Sequence, residues 1–154
     1  MMVSNLYLNG FMLYLPEYKG TYSADNIPML ANNKTFSIIV NLSNSGEIGT
    51  HFIAVEWDSS KNTIFYYNPF GGKCTNKNIL TFMTKYSLQY KYSLLHVQSY
   101  SSNMCGFFCA GYLISRHLKI GFDEYHEIYN YNDLLTNDRL VTDFIIKHLN
   151  KLFD

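Results

Sequence analysis

The stretch Cys105–Leu118, which reads CGFFCAGYLISRHL, decides the fold class of this chain. It is almost wholly apolar, and an apolar run of this length predicts a buried helix. The polar loop Ser99–Met104 precedes it, so Cys105 is expected at the helix N-terminus, where the macrodipole and unpaired backbone N–H groups lower the pKa of a thiol. Those conditions suit a nucleophile. From this segment alone, however, a buried structural cysteine is the favoured interpretation, and Cys109 is expected to belong to the core.

Strands are predicted upstream of this helix, and further helices on either side of it. Residues 1–34 are expected to be irregular, with one short helix. Runs rich in β-branched and aromatic residues predict four strands, at Thr35–Leu42, His51–Trp57, Thr63–Asn68 and Tyr90–Val97. Apolar residues three and four apart predict helices at Thr75–Tyr86 and Asp138–Leu152. Strands in the middle of the chain and helices at its end predict an α+β fold.

Composition limits the classes of protein to which the chain can belong. Its 154 residues fit one domain over 1–154, and 47% hydrophobic against 16% charged residues excludes disorder. A formal net charge of zero disfavours a protein that chiefly binds nucleic acid. Three cysteines cannot form a disulfide framework, which indicates a reducing compartment. Since there is neither a basic signal-peptide region nor an apolar run of about eighteen residues, we expect a soluble intracellular protein without membrane contact.

His51 is the leading candidate for a general base, because it begins a predicted strand and its side chain can project into a cleft. If Trp57 pairs with Asn62 around the loop Asp58–Lys61, the hairpin register places His51 opposite Asn68. A slip of one residue would put the two side chains on opposite faces of the sheet.

The other four histidines compete less well. His117 is expected about 18 Å from the helix N-terminus and rotated off its face. His126 and His148 lie in polar surroundings and are expected to be solvated. His96 shares a strand face with Gln98 and is kept as a candidate without an assigned role.

Two amide side chains complete the candidate site. The Gln98 amide could stabilise an oxyanion together with the backbone N–H of Cys105, and Asn68 could orient the ring of His51. Each has an ordinary alternative, a loop glutamine making backbone contacts and a turn asparagine before Pro69. The sequence lacks the further ligand pair of a zinc site and any phosphate-binding glycine motif, so no metal or cofactor is expected.

The order and spacing of these residues resemble the adenovirus maturation proteases, the adenain-like members of the cysteine peptidase clan that includes the Ulp1-type SUMO proteases. The spacing runs His-x16-Asn and then Gln-x6-Cys-Gly. Similar segments extend over residues 18–118: Gly20-Thr21-Tyr22, Gly49-Thr50-His51-Phe52 with Trp57-Asp58, Asn68-Pro69-Phe70-Gly71, Gln98-Ser99, and Cys105-Gly106-Phe107-Phe108-Cys109. The resemblance implies a central mixed, mainly antiparallel sheet packed against helices, with the nucleophile at the N-terminus of a buried helix.

The resemblance also implies a role for each candidate residue. Cys105 would be the nucleophile and His51 the general base; Gln98 with the Cys105 N–H would form the oxyanion hole, and Asn68 would orient His51. The related enzymes have a glutamate or an aspartate where Asn68 stands, and an amide stabilises an imidazolium less than a carboxylate does. We therefore expect a working but pH-sensitive cysteine endopeptidase that forms a thiolate–imidazolium pair and an acyl-enzyme.

The first functional hypothesis is a viral or virus-like endopeptidase that cleaves capsid or core precursor polypeptides at glycine-containing sites during virion maturation. It would act as a monomer at the virus assembly site of the host cell and in the virion. No cysteine between Cys74 and Cys105 offers a tether, so any activating peptide is expected to bind non-covalently, and nucleic acid weakly or not at all. Two alternatives stay open: a Ulp1-like peptidase that removes ubiquitin-like modifiers after Gly-Gly, and a catalytically weak binding module of virion assembly.

Overall fold

The computed structural model describes residues 5–43 and 51–152, with side chains over 8–43 and 51–150. These ranges contain the following helices and strands in chain order: α1 Asn5–Met12, β1 Tyr18–Ser23, β2 Phe36–Asn41, β3 Phe52–Asp58, β4 Thr63–Tyr67, α2 Lys77–Thr84, β5 Tyr90–Tyr92, α3 Cys105–His117, α4 Phe122–His126 and α5 Thr136–Leu152. A single 3₁₀ turn at Ala24–Asn26 follows β1. None of the helices described is long and apolar enough to cross a bilayer.

The strands form one five-stranded sheet in the order β1-β2-β3-β4-β5. The central pairings, β2 with β3 and β3 with β4, are antiparallel, whereas each edge strand runs parallel to its neighbour. The predicted α+β fold with a mixed sheet is therefore confirmed. Thr35–Leu42 was recognisable as a strand because β2 is buried along its whole length, which requires a near-continuous apolar run.

Helices cover both faces of the sheet, and the alternation along β3 separates two cores. Phe52 and Ala54 face the core shared with α1, α3, α4 and α5, while Ile53, Val55 and Trp57 face the core shared with α2. The helix that begins with Cys105 thus lies against the middle of the sheet. This position fixes the thiol close to the start of β3.

Close packing of α3 against α4 and α5 depends on one glycine. A Cβ atom at Gly111 would lie 2.6 Å from the Tyr125 hydroxyl oxygen and 2.9 Å from Cγ2 of Val141. Because real Cβ atoms do not approach other atoms so closely, only glycine fits where the three helices meet.

Three elements differ from the sequence-based predictions. Residues 18–23 form a strand rather than irregular structure; they read YKGTYS, whose local signal is weak, and the strand exists because it adds to β2. The strand predicted over Tyr90–Val97 ends at Tyr92, since the backbone N–H groups of Val97 and Gln98 turn to the carbonyl of Pro69 instead of a ladder. The short helix α4 was not predicted. One domain over 1–154 stays a prediction.

The β3–β4 hairpin has a register two residues away from the predicted one. Asp58 pairs with Thr63 around the loop 59–62, rather than Trp57 with Asn62. The Asp58 carboxylate accepts the Ser60 N–H at 3.0 Å, and Asn62 adopts a left-handed φ of 49°, which asparagine tolerates. A two-residue shift leaves every side chain on its predicted face, so the hairpin still brings its two ends together on one side.

His126 and His148 are buried rather than solvated, at 3% and 8% exposure. The His126 ring lies between the Tyr67 hydroxyl, at 2.9 Å from Nε2, and the Phe122 carbonyl, at 2.7 Å from Nδ1. Their polar neighbours in sequence suggested exposure, but α4 turns the His126 ring toward Tyr67 of the sheet, and the His148 ring packs against Phe144 of α5.

Candidate active site

Cys105 is the first residue of α3 and is only 3% exposed. Met104 occupies the N-cap position without a side-chain capping bond, and its carbonyl accepts the N–H groups of Phe107 and Phe108. The N–H groups of Cys105 and Gly106 are among those that a helix leaves without intrahelical partners. They therefore point out of the helix at its N-terminus, where the Cys105 thiol lies.

The thiol lies against the start of β3. Its Sγ accepts a hydrogen bond from the Phe52 N–H at 3.3 Å, which places it beside the peptide that joins His51 to Phe52. Burial raises the pKa of Cys105, while the N–H groups of Phe52, Gly106 and Cys105 itself lower it in opposition. Burial is the larger effect, so the resting thiol is protonated near neutral pH.

His51 is half-buried and held on two sides. Its Nε2 lies 2.8 Å from Oδ1 of Asn68, and its ring stacks on Phe70 with 4.5 Å between centroids and 14° between planes. Its backbone carbonyl accepts the Leu42 N–H at 2.9 Å and so extends the β2–β3 ladder to His51. Gly49 and Thr50, which belong to a segment similar to the proteases, lie outside the described residues.

The contacts of Asn68 assign the tautomer of His51. Oδ1 of Asn68 also accepts the Phe70 N–H at 3.0 Å, so this atom is the amide oxygen rather than the nitrogen. His51 must then donate through Nε2–H, which leaves a lone pair on Nδ1. Burial lowers the pKa of His51, and the Asn68 hydrogen bond raises it in opposition. The neutral imidazole with a free Nδ1 is the form that a general base requires.

The turn that carries Asn68 needs a glycine at its end. Gly71 donates its N–H to the Asn68 carbonyl at 2.7 Å and adopts φ of 80°. A Cβ atom at Gly71 would lie 2.7 Å from the backbone oxygen of Leu94. Both the backbone conformation and the close approach therefore exclude other residues at this position.

The same turn holds the segment that leads to Cys105. The carbonyl of Pro69 accepts the N–H groups of Val97, at 2.9 Å, and of Gln98, at 3.2 Å. One carbonyl thus connects the turn beside His51 to the segment that contains Gln98.

The Gln98 side chain is 1% exposed, and its hydrogen bonds run within its own loop. Nε2 donates to the Ser102 carbonyl at 3.1 Å and, over a long 3.4 Å, to the Ser102 hydroxyl. Its Oε1 is buried without a hydrogen-bond partner. The structure thus brings His51, Asn68 and Cys105 to one place, and it sets the Gln98 amide against Ser102. A role for Gln98 at an oxyanion stays a prediction.

Phe70 is a site residue to which sequence reasoning gave no role. Besides stacking on His51, its ring lies 5.0 Å from that of Tyr100 and 6.0 Å from that of His96, centroid to centroid. His51 and His96 thus both contact the Phe70 ring, His51 on its face and His96 edge to face. The sequence Asn-Pro-Phe-Gly could have indicated this role, because it places an aromatic residue inside a turn whose backbone is restricted by proline and glycine.

The remaining candidates lie elsewhere. His117, at the far end of α3, has its Nδ1 3.0 Å from the Glu17 carboxylate. Over residues 5–43 and 51–152, no group of three or more His, Cys, Asp or Glu side chains is arranged to hold a metal ion.

A comparison with protein families identifies the group to which this arrangement belongs. The family model described as adenovirus endoprotease (Peptidase_C5) matches residues 18–137. The chain belongs to the adenovirus endoprotease family. The expected relationship to adenain-like cysteine peptidases is thereby confirmed. No curated protein matches the sequence of this adenovirus endoprotease homologue significantly.

Solved structures share the fold of this family member. A crystal structure of the ASFV pS273R protease has a TM-score of 0.60 at 12% identity, covering 90% of this chain and 66% of that one. A second, of the Se-Met protein, has a TM-score of 0.50 at 18% identity and covers 70% and 43%. The SUMO protease Ulp1 with its catalytic cysteine oxidised to a sulfinic acid has a TM-score of 0.54 at 13% identity, covering 99% and 80%. This chain therefore spans less than two thirds of the ASFV proteins, and these likenesses concern the fold alone.

Proposed function

We propose that this chain is a cysteine endopeptidase in which Cys105 is the nucleophile and His51 the general base. The observation that carries the proposal is the assigned tautomer of His51. Oδ1 of Asn68 accepts a hydrogen bond from Nε2–H of His51, so Nδ1 is a free acceptor. His51 is adjacent to Phe52, whose N–H binds the Cys105 thiol. Nucleophilic cysteine catalysis requires a thiol, a base beside it and a third group that orients the base. Cys105, His51 and Asn68 provide these three groups.

In the first step, the Cys105 thiol transfers its proton to Nδ1 of His51, which produces a thiolate–imidazolium pair. The thiolate attacks the carbonyl carbon of the scissile peptide; a C–S bond forms while the carbonyl π electrons move to oxygen. The Cys105 N–H donates to this oxyanion, and the weakly held second hydrogen of the Gln98 amide turns toward it.

In the second step, the oxyanion returns its electrons to the C=O bond and the C–N bond breaks. The leaving amine takes the proton from His51, and an acyl-enzyme remains on Cys105. His51 then removes a proton from water as the water attacks the thioester, and the thiolate that leaves is reprotonated. Burial lowers the pKa of His51 and raises that of Cys105, and both directions favour the neutral pair before substrate binds.

The proposed substrates are capsid or core precursor polypeptides of a virus or virus-like element, cleaved at glycine-containing sites during virion maturation. The family match supports this choice, since it is to an adenovirus endoprotease. Cleavage would take place in the infected cell and in the virion. We further propose a monomer with no need of nucleic acid, in line with the net charge of zero.

Any activating peptide is proposed to bind without a covalent bond. All three cysteines of the chain are free and buried, so none is exposed for a disulfide with another polypeptide. Activity that requires oxidation of Cys74 or Cys109 would contradict this proposal.

The test compares wild type with Cys105→Ala on Gly-X-Gly and Gly-Gly peptides and on ubiquitin-like fusion proteins, with cleavage measured by mass spectrometry. Wild type alone should cleave the short glycine-containing peptides. Cleavage of folded fusions only would favour the second candidate, a deconjugating peptidase. That candidate is suggested by the similarity to the Ulp1 domain solved in complex with SMT3, the yeast ortholog of SUMO, at a TM-score of 0.51.

A third candidate, a binding module, is suggested by the burial that raises the pKa of the resting Cys105 thiol. Iodoacetamide distinguishes it from an enzyme. Cys105 of a peptidase should be alkylated faster than glutathione near neutral pH, because His51 accepts the proton of the attacking thiol, and His51→Ala should remove that excess. Equal rates, together with no cleavage of any substrate, would exclude the peptidase.

A further inference from the structure

The loop between Gln98 and Cys105 is attached to the first turn of α5 at two points. At its start, the fully buried Asn137 donates its Nδ2 hydrogens to the carbonyls of Val97, at 2.8 Å, and Asn130, at 3.0 Å. At its end, the Ser102 hydroxyl lies 2.8 Å from Oδ1 of Asp138. Helix α5 thus contacts the loop on both sides of the segment that approaches the thiol.

The hydroxyl of Ser102 has every hydrogen-bonding position in use. It accepts the Met104 N–H at 3.1 Å and the Gln98 Nε2–H at 3.4 Å, and it donates to Asp138. A hydroxyl has one hydrogen and two lone pairs, and an ionised carboxylate can only accept. The Asp138 carboxylate therefore directs the hydrogen of Ser102 away from Gln98 and leaves its lone pairs facing the amide and the start of α3.

The direction of this hydrogen decides whether Ser102 offers the Gln98 amide a second acceptor beside its own carbonyl, which accepts the Nε2–H at 3.1 Å. With the hydrogen on Asp138, Ser102 presents an acceptor, and the NH₂ group of Gln98 turns toward it. Without Asp138, the hydroxyl hydrogen is free to donate to Oε1 of Gln98, which is buried and has no partner. Turning over would cost the amide its 3.1 Å bond to the Ser102 carbonyl, so two arrangements would compete and the donor would no longer be fixed on the side of the loop that adjoins the helix N-terminus.

We propose that Asp138, acting through Ser102, is a positioning residue that holds the Gln98 amide and the N-cap of α3 in the arrangement needed for oxyanion stabilisation. This inference rests on the proposed function, because it assigns Gln98 a donor role in that reaction. Asp138 lies one position beyond the segment 18–137 that matches the family. Its contact to the loop is made by tertiary structure, since Ser102 is 36 residues away.

The kinetic test uses Ser102→Ala, Asp138→Ala and the double variant, with Ser102→Thr as the conservative variant and Asp143→Ala as the matched control. Asp143 is 62% exposed on the same helix and pairs only locally, with Arg139. Loss of one oxyanion donor costs about 100- to 1,000-fold in kcat, so a misplaced donor should cost about 10- to 100-fold. KM should stay within about twofold, because the ground-state carbonyl needs the donor less.

The two alanine variants should have similar kcat values, and the double variant should be no worse than either, because all three break one chain of hydrogen bonds. Ser102→Thr should retain wild-type kcat. Multiplying effects in the double variant, a change in KM alone, or a loss of kcat in Asp143→Ala would overturn the inference.

A second measurement does not depend on catalysis. The side-chain NH₂ signals of Gln98, assigned by NMR through Gln98→Asn, should shift in Ser102→Ala and Asp138→Ala and stay unchanged in Asp143→Ala. If wild type cleaves nothing, this result still decides whether Asp138 orients the amide, and the peptidase proposal fails separately. Unchanged Gln98 signals in both alanine variants would contradict the positioning role.

Discussion

The two ends of α3 interact with their surroundings in different ways. At the N-terminus, the Cys105 thiol is surrounded by the backbone N–H groups of Phe52, Gly106 and Cys105 itself. At the C-terminus, Arg116 and His117 contact the carboxylates of Glu56 and Glu17, at 3.1 Å and 3.0 Å. Basic residues at a helix C-terminus complement the macrodipole, while the free N–H groups at the N-terminus stay available to a developing anion.

This difference indicates a separation of roles along one helix. At the C-terminal end, basic side chains already contact carboxylates, and Arg116 thereby connects the helix to Glu56 on β3. The N-terminal end has contacts between neutral groups instead, such as the 3.3 Å bond from the Phe52 N–H to Sγ. Changes at the N-terminal end should therefore alter reactivity, and changes at the C-terminal end should alter stability.

The largest effect is expected for Cys105→Ser. It should lower kcat by at least about 1,000-fold, because the hydroxyl of serine is far less acidic than a thiol at the same imidazole. The free energy of unfolding should change by less than about 1 kcal/mol, since the new side chain has nearly the same shape. Peptide cleavage and urea unfolding measure the two quantities. If Cys105→Ser lowered the free energy of unfolding by as much as it raised the activation free energy of cleavage, the proposed separation of roles between the two ends of α3 would be wrong.

The next largest effect is expected for Asn68→Asp, which should change the pH dependence of kcat/KM. Burial lowers the pKa of His51, and the neutral ring is the active base, so the acid limb of kcat/KM in wild type should lie below pH 6.5. A carboxylate at position 68 stabilises the imidazolium and should move that limb upward by about one pH unit. Asn68→Ala, which removes the hydrogen bond, should lower kcat about 10- to 100-fold. Identical acid limbs in wild type and Asn68→Asp would contradict the orienting role.

The residues at the N-terminal end were predictable from sequence to different degrees. Cys105 at the start of a helix followed from the switch between a polar loop and an apolar run. The approach of His51 to Asn68 followed from the predicted hairpin. It holds in the structure because the register differs by two residues, which leaves both side chains on the predicted face of the sheet. The resemblance to adenain-like proteases joined these residues to Gln98.

The contacts that tertiary structure makes could not be predicted from local patterns. β1 owes its strand conformation to β2, and the Asp138–Ser102 bond joins two polar residues that each look like ordinary surface positions. The Phe70 ring reaches His51 only because the turn at Gly71 directs it there. Each depends on distant parts of the chain, which periodicity and spacing do not report.

At the C-terminal end, Arg116→Leu should lower the free energy of unfolding by about 1 to 3 kcal/mol at pH 7, because it leaves the Glu56 carboxylate, 13% exposed, without its cation. Burial already raises the pKa of Glu56, and Arg116 opposes that rise. Without Arg116 the pKa rises further, so the loss should shrink as the pH falls through it and the carboxyl becomes neutral.

Urea unfolding at pH 7 and at pH 4 measures this dependence, and Glu56→Leu combined with Arg116→Leu should recover most of the loss. Since this end is remote from the thiol, kcat should stay within about twofold of wild type. Equal destabilisation at both pH values would show that packing, rather than the charge of Glu56, is responsible.

The smallest effect is expected for His117→Gln. The ring and the Glu17 carboxylate are 28% and 36% exposed, so water and salt screen their interaction. The change in the free energy of unfolding should be no more than about 0.5 kcal/mol, with no change in cleavage. A destabilisation as large as that of Arg116→Leu would mean that the two pairs do not differ as their exposure suggests.

The hydrogen bonds accepted by the Pro69 carbonyl allow opening of the site to be measured without a substrate and without the thiol. It accepts two N–H groups, those of Val97 and Gln98, and so connects the turn beside His51 to the loop before Cys105. When the two segments separate, both amide hydrogens become accessible to solvent together. Their rates of deuterium exchange therefore report, as a pair, how often the site comes apart in solution, and Cys105→Ala would leave that signal in place.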